Sequence, residues 1–491
     1  MLRYLAIAML AMGLHAQTRY QSNWESIDKR PTPQWFSDAK FGIFIHWGVY
    51  AVPGYAPPNA KGGDAYAEWY WNHLKRGPLH KGAPNETWNF HKRVYGENFD
   101  YAQFAPMFKA ELYDPDHWAD VFRASGARYV VLTSKHHEGF ALWPSAHASK
   151  TWNRPWNAVE TGPKRDVLGD LTNAVRAKGL KMGYYFSLYE WYNPLWLQDR
   201  KRYAREHMRP QFEDLVTRYN PSIIFSDGEW DMPSADWNSA DMMAWLFNES
   251  AVKDEVVIND RWGKETRHKH GGYYTTEYTA GLEGSNHPWE ESRGMGRSYG
   301  YNRVERVADY RTEQELILML VDLVSRGGNL LLDIGPTADG RIPVIMEERL
   351  RQIGKWLGTN GDAVYGTTPW VRTRQWSTGE PPKLETGEFM TRYEVTDFIE
   401  ARKPGQAVIE AFFTKKGENV FAIVPGWPGA SLRLRNVSAP ETMQVTMAGH
   451  AAVLQWKASG NDVVIDMPAA PGSASKAQHA CVLRLPGLQA R

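Results

Sequence analysis

Short apolar runs that stop abruptly on polar or aromatic residues recur along the first 370 or so positions of the chain. Ile223-Ile224-Phe225 is the sharpest. Asn220-Pro221 precedes it, and it ends on Ser226-Asp227-Gly228. A run that short, β-branched and bracketed by turn formers reads as a buried strand. The same grammar predicts strands over residues 41–45, ending in His46-Trp47-Gly48, and over 128–134, ending in Lys135-His136-His137-Glu138-Gly139. It predicts three more over 181–187, over 255–260 (followed by Arg261), and over 328–333. Between these runs the apolar period lengthens to that of helices. Residues 114–126 carry an Asp at the N-cap, Pro115 in the first turn and Gly126 as the stop. Further helices are predicted over 170–178, 199–218 with a break at Pro210, 235–249, 312–326 and 343–358.

Strands alternating with helices imply a parallel sheet with right-handed crossovers. Seven or eight such units predict a (β/α)8-like (TIM) barrel spanning residues 17–370. No Gly-x-Gly-x-x-Gly opens a helix and no phosphate-binding Gly-x-x-x-x-Gly-Lys appears, so nucleotide folds lack their fingerprints. Past Trp370 the texture changes. Pro381-Pro382 marks a linker-like stretch. Residues 408–413 and 420–424 flank a hairpin turn, and 431–437 alternates with period two. A small antiparallel β-sandwich domain is expected over 371–491.

Composition narrows the chemistry. The chain has 491 residues and a formal net charge of +1 with no charge blocks, which gives no electrostatic case for nucleic acid or an anionic membrane. Trp and Tyr are abundant, at 22 and 24, and aromatic rings suit the apolar faces of sugars as well as protein cores. Arg3, then the apolar stretch from Tyr4 to Leu14 and the small residues up to Ala16, read as a signal peptide over 1–16, too short to span a bilayer. An exported protein, periplasmic or secreted, is expected. Cys481 is the only cysteine, so no disulfide forms within the chain and no lipid attaches near the cleavage site.

An Asp-Gly pair alone usually caps a turn. Here, however, strand after strand ends in a reactive or aromatic group: His46, His136 with His137, Tyr185, Asp227, and Asp260 with Arg261. In a barrel those ends converge on one face. Carboxylates amid histidines and aromatics, with no nucleophile elbow, suit glycoside hydrolysis. His46, His136 and Asp227 make a zinc set on paper. His-Glu-x-x-His is absent, however, and adjacent residues such as His136 and His137 point to opposite sides of an extended segment, so no metal and no cofactor is expected.

The motifs also carry a resemblance. Phe41-Gly-Ile-Phe-Ile-His46-Trp47-Gly48, Lys135-His136-His137-Glu138-Gly139-Phe140, Phe225-Ser226-Asp227-Gly228, Trp289-Glu290 and Asn329-Leu-Leu-Leu-Asp333-Ile-Gly-Pro336 resemble, in order, those of the α-L-fucosidases, glycoside hydrolase family 29. The resemblance implies a retaining exo-enzyme that releases terminal α-L-fucose from glycans or glycoconjugates. It implies Asp227 as the nucleophile, with His46, Glu68, Trp69, His136, His137, Tyr185 and Arg261 holding the sugar. Phe225, where that family usually has Trp, would pack against the C5 methyl. The family's acid/base segment resembles Gly271 to Glu277, which makes Glu277 the first candidate and Glu290 the second. Asp333 stands where Asn is usual and reads as a structural change at a strand end. A barrel glycosidase for another sugar such as galactose, and an inactive carbohydrate-binding protein, are the alternatives. A homo-oligomer is compatible with the sequence.

Overall fold

The computed structural model describes residues 19–391, 393–470 and 479–491. The expected signal peptide lies outside them. Eight parallel strands form one curled sheet: β1 (Phe41–Ile45), β2 (Tyr129–Lys135), β3 (Lys181–Ser187), β4 (Ile223–Asp227), β5 (Val257–Ile258), β6 (Tyr274–Glu277), β7 (Trp289–Gly294) and β8 (Asn329–Ile334). Their spatial order is β5-β4-β3-β2-β1-β8-β7-β6, so every chain neighbour is also a sheet neighbour except β5 and β6. That last seam is closed by two hydrogen bonds, from the Gly272 and Tyr273 amides to the Ile258 carbonyl at 3.0 and 3.2 Å. The fold is the expected (β/α)8-like barrel.

Period-two alternation sorts the side chains. Phe41, Ile43 and Ile45 face outward to the helices, while Phe44 faces inward with Tyr185, Phe225, Val131 and Leu331. Gly42 also faces inward. A Cβ there would lie 2.1 Å from the Tyr129 ring, so glycine makes room for that tyrosine low in the barrel. The inward positions at the C-terminal ends are polar, among them Ser187, Asp227, Glu277 and Asp333.

Several elements depart from the sequence pattern. The helix expected over 199–218 is interrupted by a π-helical turn (Ala204–Met208), and Pro210 sits in the first turn of the helix that follows, Arg209–Tyr219. There its missing N–H and fixed φ do no harm. The helix expected over 235–249 is split in two by Asn238 in the left-handed conformation. β5 is only two residues long, and past it the Asn259 side chain takes the place of a backbone partner, accepting from the Ser226 amide and donating to the Ser226 carbonyl. No helix follows β5 or β6. β7 reads Trp-Glu-Glu-Ser-Arg-Gly, yet all six residues are buried.

Beyond the barrel, a five-stranded antiparallel sheet runs in the order Thr368–Trp376, Ile409–Lys416, Asn419–Pro425, Ala480–Pro486, Thr446–Met447. It shares a core, including Phe413, Leu432, Ile465 and Leu483, with a three-stranded sheet of Ser431–Leu434, Asp462–Asp466 and Trp456–Ser459. The first strand straddles the boundary expected at residue 370. Arg374 ties this domain to the barrel through Asp322, at 2.7 and 2.9 Å.

Candidate active site

The strand ends line one cavity of about 680 Å³. Asp227, the last residue of β4, is 7 % exposed. Gly228 follows with φ +74°, where a Cβ would strike the Tyr189 ring, so the turn that presents the carboxylate needs glycine. Tyr185 donates its hydroxyl to Asp227 Oδ2 at 2.8 Å, and Arg261 Nη1 donates to Oδ1 at 3.0 Å. Burial alone would raise this carboxyl. The Arg261 charge, with His137 and Arg267, reverses that and holds it well below the usual carboxylate range.

Arg261 also reaches the second carboxylate. Its Nη2 donates to Glu277 Oε2 at 3.1 Å, and the Tyr66 hydroxyl donates to Glu277 Oε1 at 3.2 Å. One guanidinium thus spans the ends of β4 and β6. Its Nε is fixed on Thr275 Oγ1, 2.9 Å away, and Thr275 is held in turn by Asp260 at 2.7 Å. Asp260, a strand-end candidate in the sequence, thus acts behind Arg261.

The sugar-binding candidates gather around this pair. His46, at the end of β1, is stacked on Tyr299, and burial pushes it down to about 3, so it is neutral. Glu68 accepts from the Gly300 amide at 2.8 Å and from the Ser298 hydroxyl at 3.2 Å, and burial pushes its carboxyl up to about 7. Trp69, His136, Tyr185 and Phe225 line the same wall. Phe225 packs against Phe44 and lies beneath the Arg261 guanidinium, 5.0 Å from its ring centre.

Two candidates lie elsewhere. His137 does not line the cavity. It stands behind Asp227, with Nδ1 2.7 Å from Ser187 Oγ and Nε2 3.5 Å from Asp227 Oδ2. Both histidines lie past Lys135, the last residue of β2, and their rings stay in contact, 4.1 Å between centres, with only His136 reaching the cavity. Glu290 sits deeper. In register Ser292 pairs with Glu277 while Glu290 pairs with Thr275, two residues nearer the bottom of the barrel. Glu290 accepts a short hydrogen bond from Tyr129, and burial pushes its carboxyl up to about 8.

Sequence reasoning gave no site role to Tyr66, Glu229, Trp230, Arg267, Tyr299 and Phe389, all of which line the cavity. Tyr66 and Trp230 lie within three residues of named candidates, which is signal enough. Phe389 comes from beyond the barrel, and no local pattern points to it. Among the described residues no group of three His, Cys, Asp or Glu is placed to hold a metal ion, and no described helix is long and apolar enough to cross a membrane.

A parallel barrel with two carboxylates on one arginine, ringed by aromatics and neutral histidines, defines a glycoside hydrolase. The family model of α-L-fucosidase matches residues 8–362, and that of the α-L-fucosidase C-terminal domain matches 407–486. The chain belongs to the α-L-fucosidase family and is an α-L-fucosidase. An α-L-fucosidase of Branchiostoma floridae is 42 % identical over 486 residues, covering 96 % of this chain and 97 % of the relative. The solved Thermotoga maritima α-fucosidase in complex with a mechanism-based inhibitor superposes with a TM-score of 0.76 at 34 % identity, over 95 % of this chain and all of that one. The same enzyme in complex with fucose gives 0.74 at 34 % identity, with the same coverage.

Proposed function

We propose that this α-L-fucosidase retains anomeric configuration, releasing terminal α-L-fucose from fucosylated oligosaccharides or glycoconjugates by double displacement. Asp227 attacks the anomeric carbon while Glu277 protonates the departing oxygen. Glu277 then takes a proton from the water that hydrolyses the fucosyl-enzyme. The observation that carries this reading is the Arg261 bridge. One guanidinium holds both carboxylates at the same cavity, so a single glycosidic bond can meet a nucleophile and a proton donor together. Arg261 and Tyr185 keep Asp227 ionised and aimed, as a nucleophile must be. The mechanism-based inhibitor and the fucose bound by the T. maritima enzyme point the same way. Neutral His46 and His136, with Glu68, Trp69 and Tyr185, read the ring hydroxyls. His137 works through Asp227 and Ser187.

The test is to follow hydrolysis of an aryl α-L-fucoside by proton NMR. The first-formed fucose should be the α-anomer, and β-fucose would mean inversion. The domain division near residue 370 and export after cleavage at Ala16 complete the proposal. The latter rests on the basic, apolar and small-residue succession of the N-terminus. N-terminal sequencing of the mature protein starting at Gln17 would support it, and an intact Met1 would refute it.

A further inference from the structure

The barrel seam leaves β6 unpaired on one side. β5 ends at Ile258, so at Glu277 the ladder facing β5 has no partner from the barrel itself. A segment of the stretch that follows Trp376 takes that edge. The Glu277 amide donates to the Glu388 carbonyl at 3.0 Å, and the Met390 amide donates to the Glu277 carbonyl at 2.9 Å. This is a parallel bridge in which Phe389 is the residue in register with Glu277. Residues paired in a ladder send their side chains to the same face, and both line the cavity. Phe389 is nonetheless 49 % exposed. Trp230, the other exposed aromatic of the cavity, is braced by ring contacts to Trp69, His137 and Tyr189.

We propose that Phe389 is the floor of a leaving-group subsite, where the sugar attached to fucose stacks the C–H face of its pyranose ring. The proposal rests on the reading of Glu277 as proton donor. The atom Glu277 protonates joins fucose to its aglycone, so the aglycone must emerge on the Glu277 side of the cavity, where the register places Phe389. The occupant is a neutral pyranose. A ring with an unbroken apolar face matches a half-exposed phenyl, whereas the same ring in water is only exposed apolar surface. The cavity is larger than a single pyranose fills. Specificity for the second sugar would then be set by a segment outside the barrel.

The experiment compares two substrates that share fucose and differ in the leaving group: a fucosylated disaccharide and α-L-fucosyl fluoride, which has no ring to stack. Their kcat/KM ratio reports steps up to formation of the fucosyl-enzyme and cancels changes common to both. In Phe389→Ala the disaccharide-to-fluoride ratio should fall about 5- to 10-fold, and Phe389→Tyr, which keeps a ring, should hold it within about twofold. A ratio unchanged in Phe389→Ala overturns the subsite. So does an equal fall in Phe389→Tyr, which would mean that the segment was merely displaced. Glu277→Ala, run on the same pair, separates the two readings. If it leaves the ratio unchanged, the proton-donor assignment fails. If it lowers the ratio while Phe389→Ala does not, only the subsite falls.

Discussion

His46 Nδ1 lies 2.6 Å from Asp333 Oδ1, and both side chains are almost wholly buried. Burial, reinforced by the Glu68 and Glu305 charges, raises the Asp333 carboxyl well above its ordinary range, and burial pushes His46 down to about 3. Both directions put the shared proton on Asp333. Its hydroxyl then donates to Nδ1, which leaves the His46 proton on Nε2, the nitrogen available to the cavity. Asp333 is therefore more than the strand-end change its sequence position suggests. A protonated Asp and an Asn present the same donor to Nδ1, which explains how either residue serves at this place.

Asp333→Asn should accordingly keep kcat/KM within about threefold of wild type near neutral pH, whereas Asp333→Ala, which leaves Nδ1 without a partner, should lose about 10-fold or more. The wild type should also lose activity at alkaline pH as Asp333 gives up its proton and reverses the tautomer. Asp333→Asn should lack that limb. Identical alkaline limbs in kcat/KM profiles of the two would refute the account.

Replacing Asp227 removes the group proposed to form the covalent bond. Asp227→Ala should lower kcat by roughly 1,000-fold or more, since the covalent route is lost. With Asp227→Gly, added azide should attack from the vacated side and give fucosyl azide of inverted configuration, identified by NMR. Near wild-type turnover in Asp227→Ala would take this residue out of the mechanism.

Most of this site was legible because β1 to β4 and β8 are apolar runs whose chemistry begins where the run ends. β6 and β7 were not legible as strands. In Trp289–Gly294 the two glutamates find partners far off in the chain or on the next strand: Glu290 bonds Tyr129, and Glu291 bonds Thr276 and the Thr279 amide. A local window holds no record of those partners, so a buried polar strand reads as loop. The same holds for Phe389, brought to Glu277 by backbone pairing across more than a hundred residues. The His136-His137 pair misleads in another way: strand alternation says that the two rings part, but β2 ends at Lys135 and the rings stay in contact, with 4.1 Å between their centres.

The C5 substituent of the sugar should matter. Phe225 lines the cavity, wedged against Phe44 and Tyr185, and offers apolar surface with no hydrogen-bond donor. An α-L-fucoside should exceed the matching α-L-galactoside in kcat/KM by about 10-fold or more, since one small group in an apolar pocket is worth roughly 1–3 kcal/mol. Equal rates would contradict the placement of the methyl at Phe225.

Glu290 should reveal itself in stability. Its folded carboxyl, pushed up to about 8 by burial against the opposing pull of Tyr129, Tyr273 and Arg261, keeps a proton that the unfolded chain gives up near 4.5. The folded state thus binds more protons across that window. The stabilisation is fully present below about pH 4.5 and is lost as pH rises through about 8, with a slope of up to about 1.4 kcal/mol per pH unit. Gln copies the neutral form and cannot ionise. Chemical denaturation at pH 5 and pH 8.5 should therefore show Glu290→Gln gaining on wild type as pH rises. Glu68 and Glu138, also raised, contribute equally to both proteins and cancel. Parallel pH dependences would show that Glu290 is not held protonated.

The proton donor can be separated from this structural carboxyl by the leaving group. A nitrophenolate departs with little protonation, while a sugar alcohol needs it. Glu277 carries its carboxylate at the cavity, joined to Arg261 and Tyr66, and Glu290 lies two residues deeper beneath Tyr129. Glu277→Ala should therefore lose far more activity on a fucosylated oligosaccharide than in the first step on a nitrophenyl fucoside, by about 100-fold or more in relative kcat/KM. It should also accumulate fucosyl-enzyme, because the same group activates water in the second step. Azide needs no such activation, so it should restore turnover and yield fucosyl azide of retained configuration, opposite to the Asp227→Gly product. Glu290→Ala should depress both substrates alike through lost packing, with no azide effect. If the leaving-group dependence and the retained azide product appear in Glu290→Ala and not in Glu277→Ala, the two roles must be exchanged.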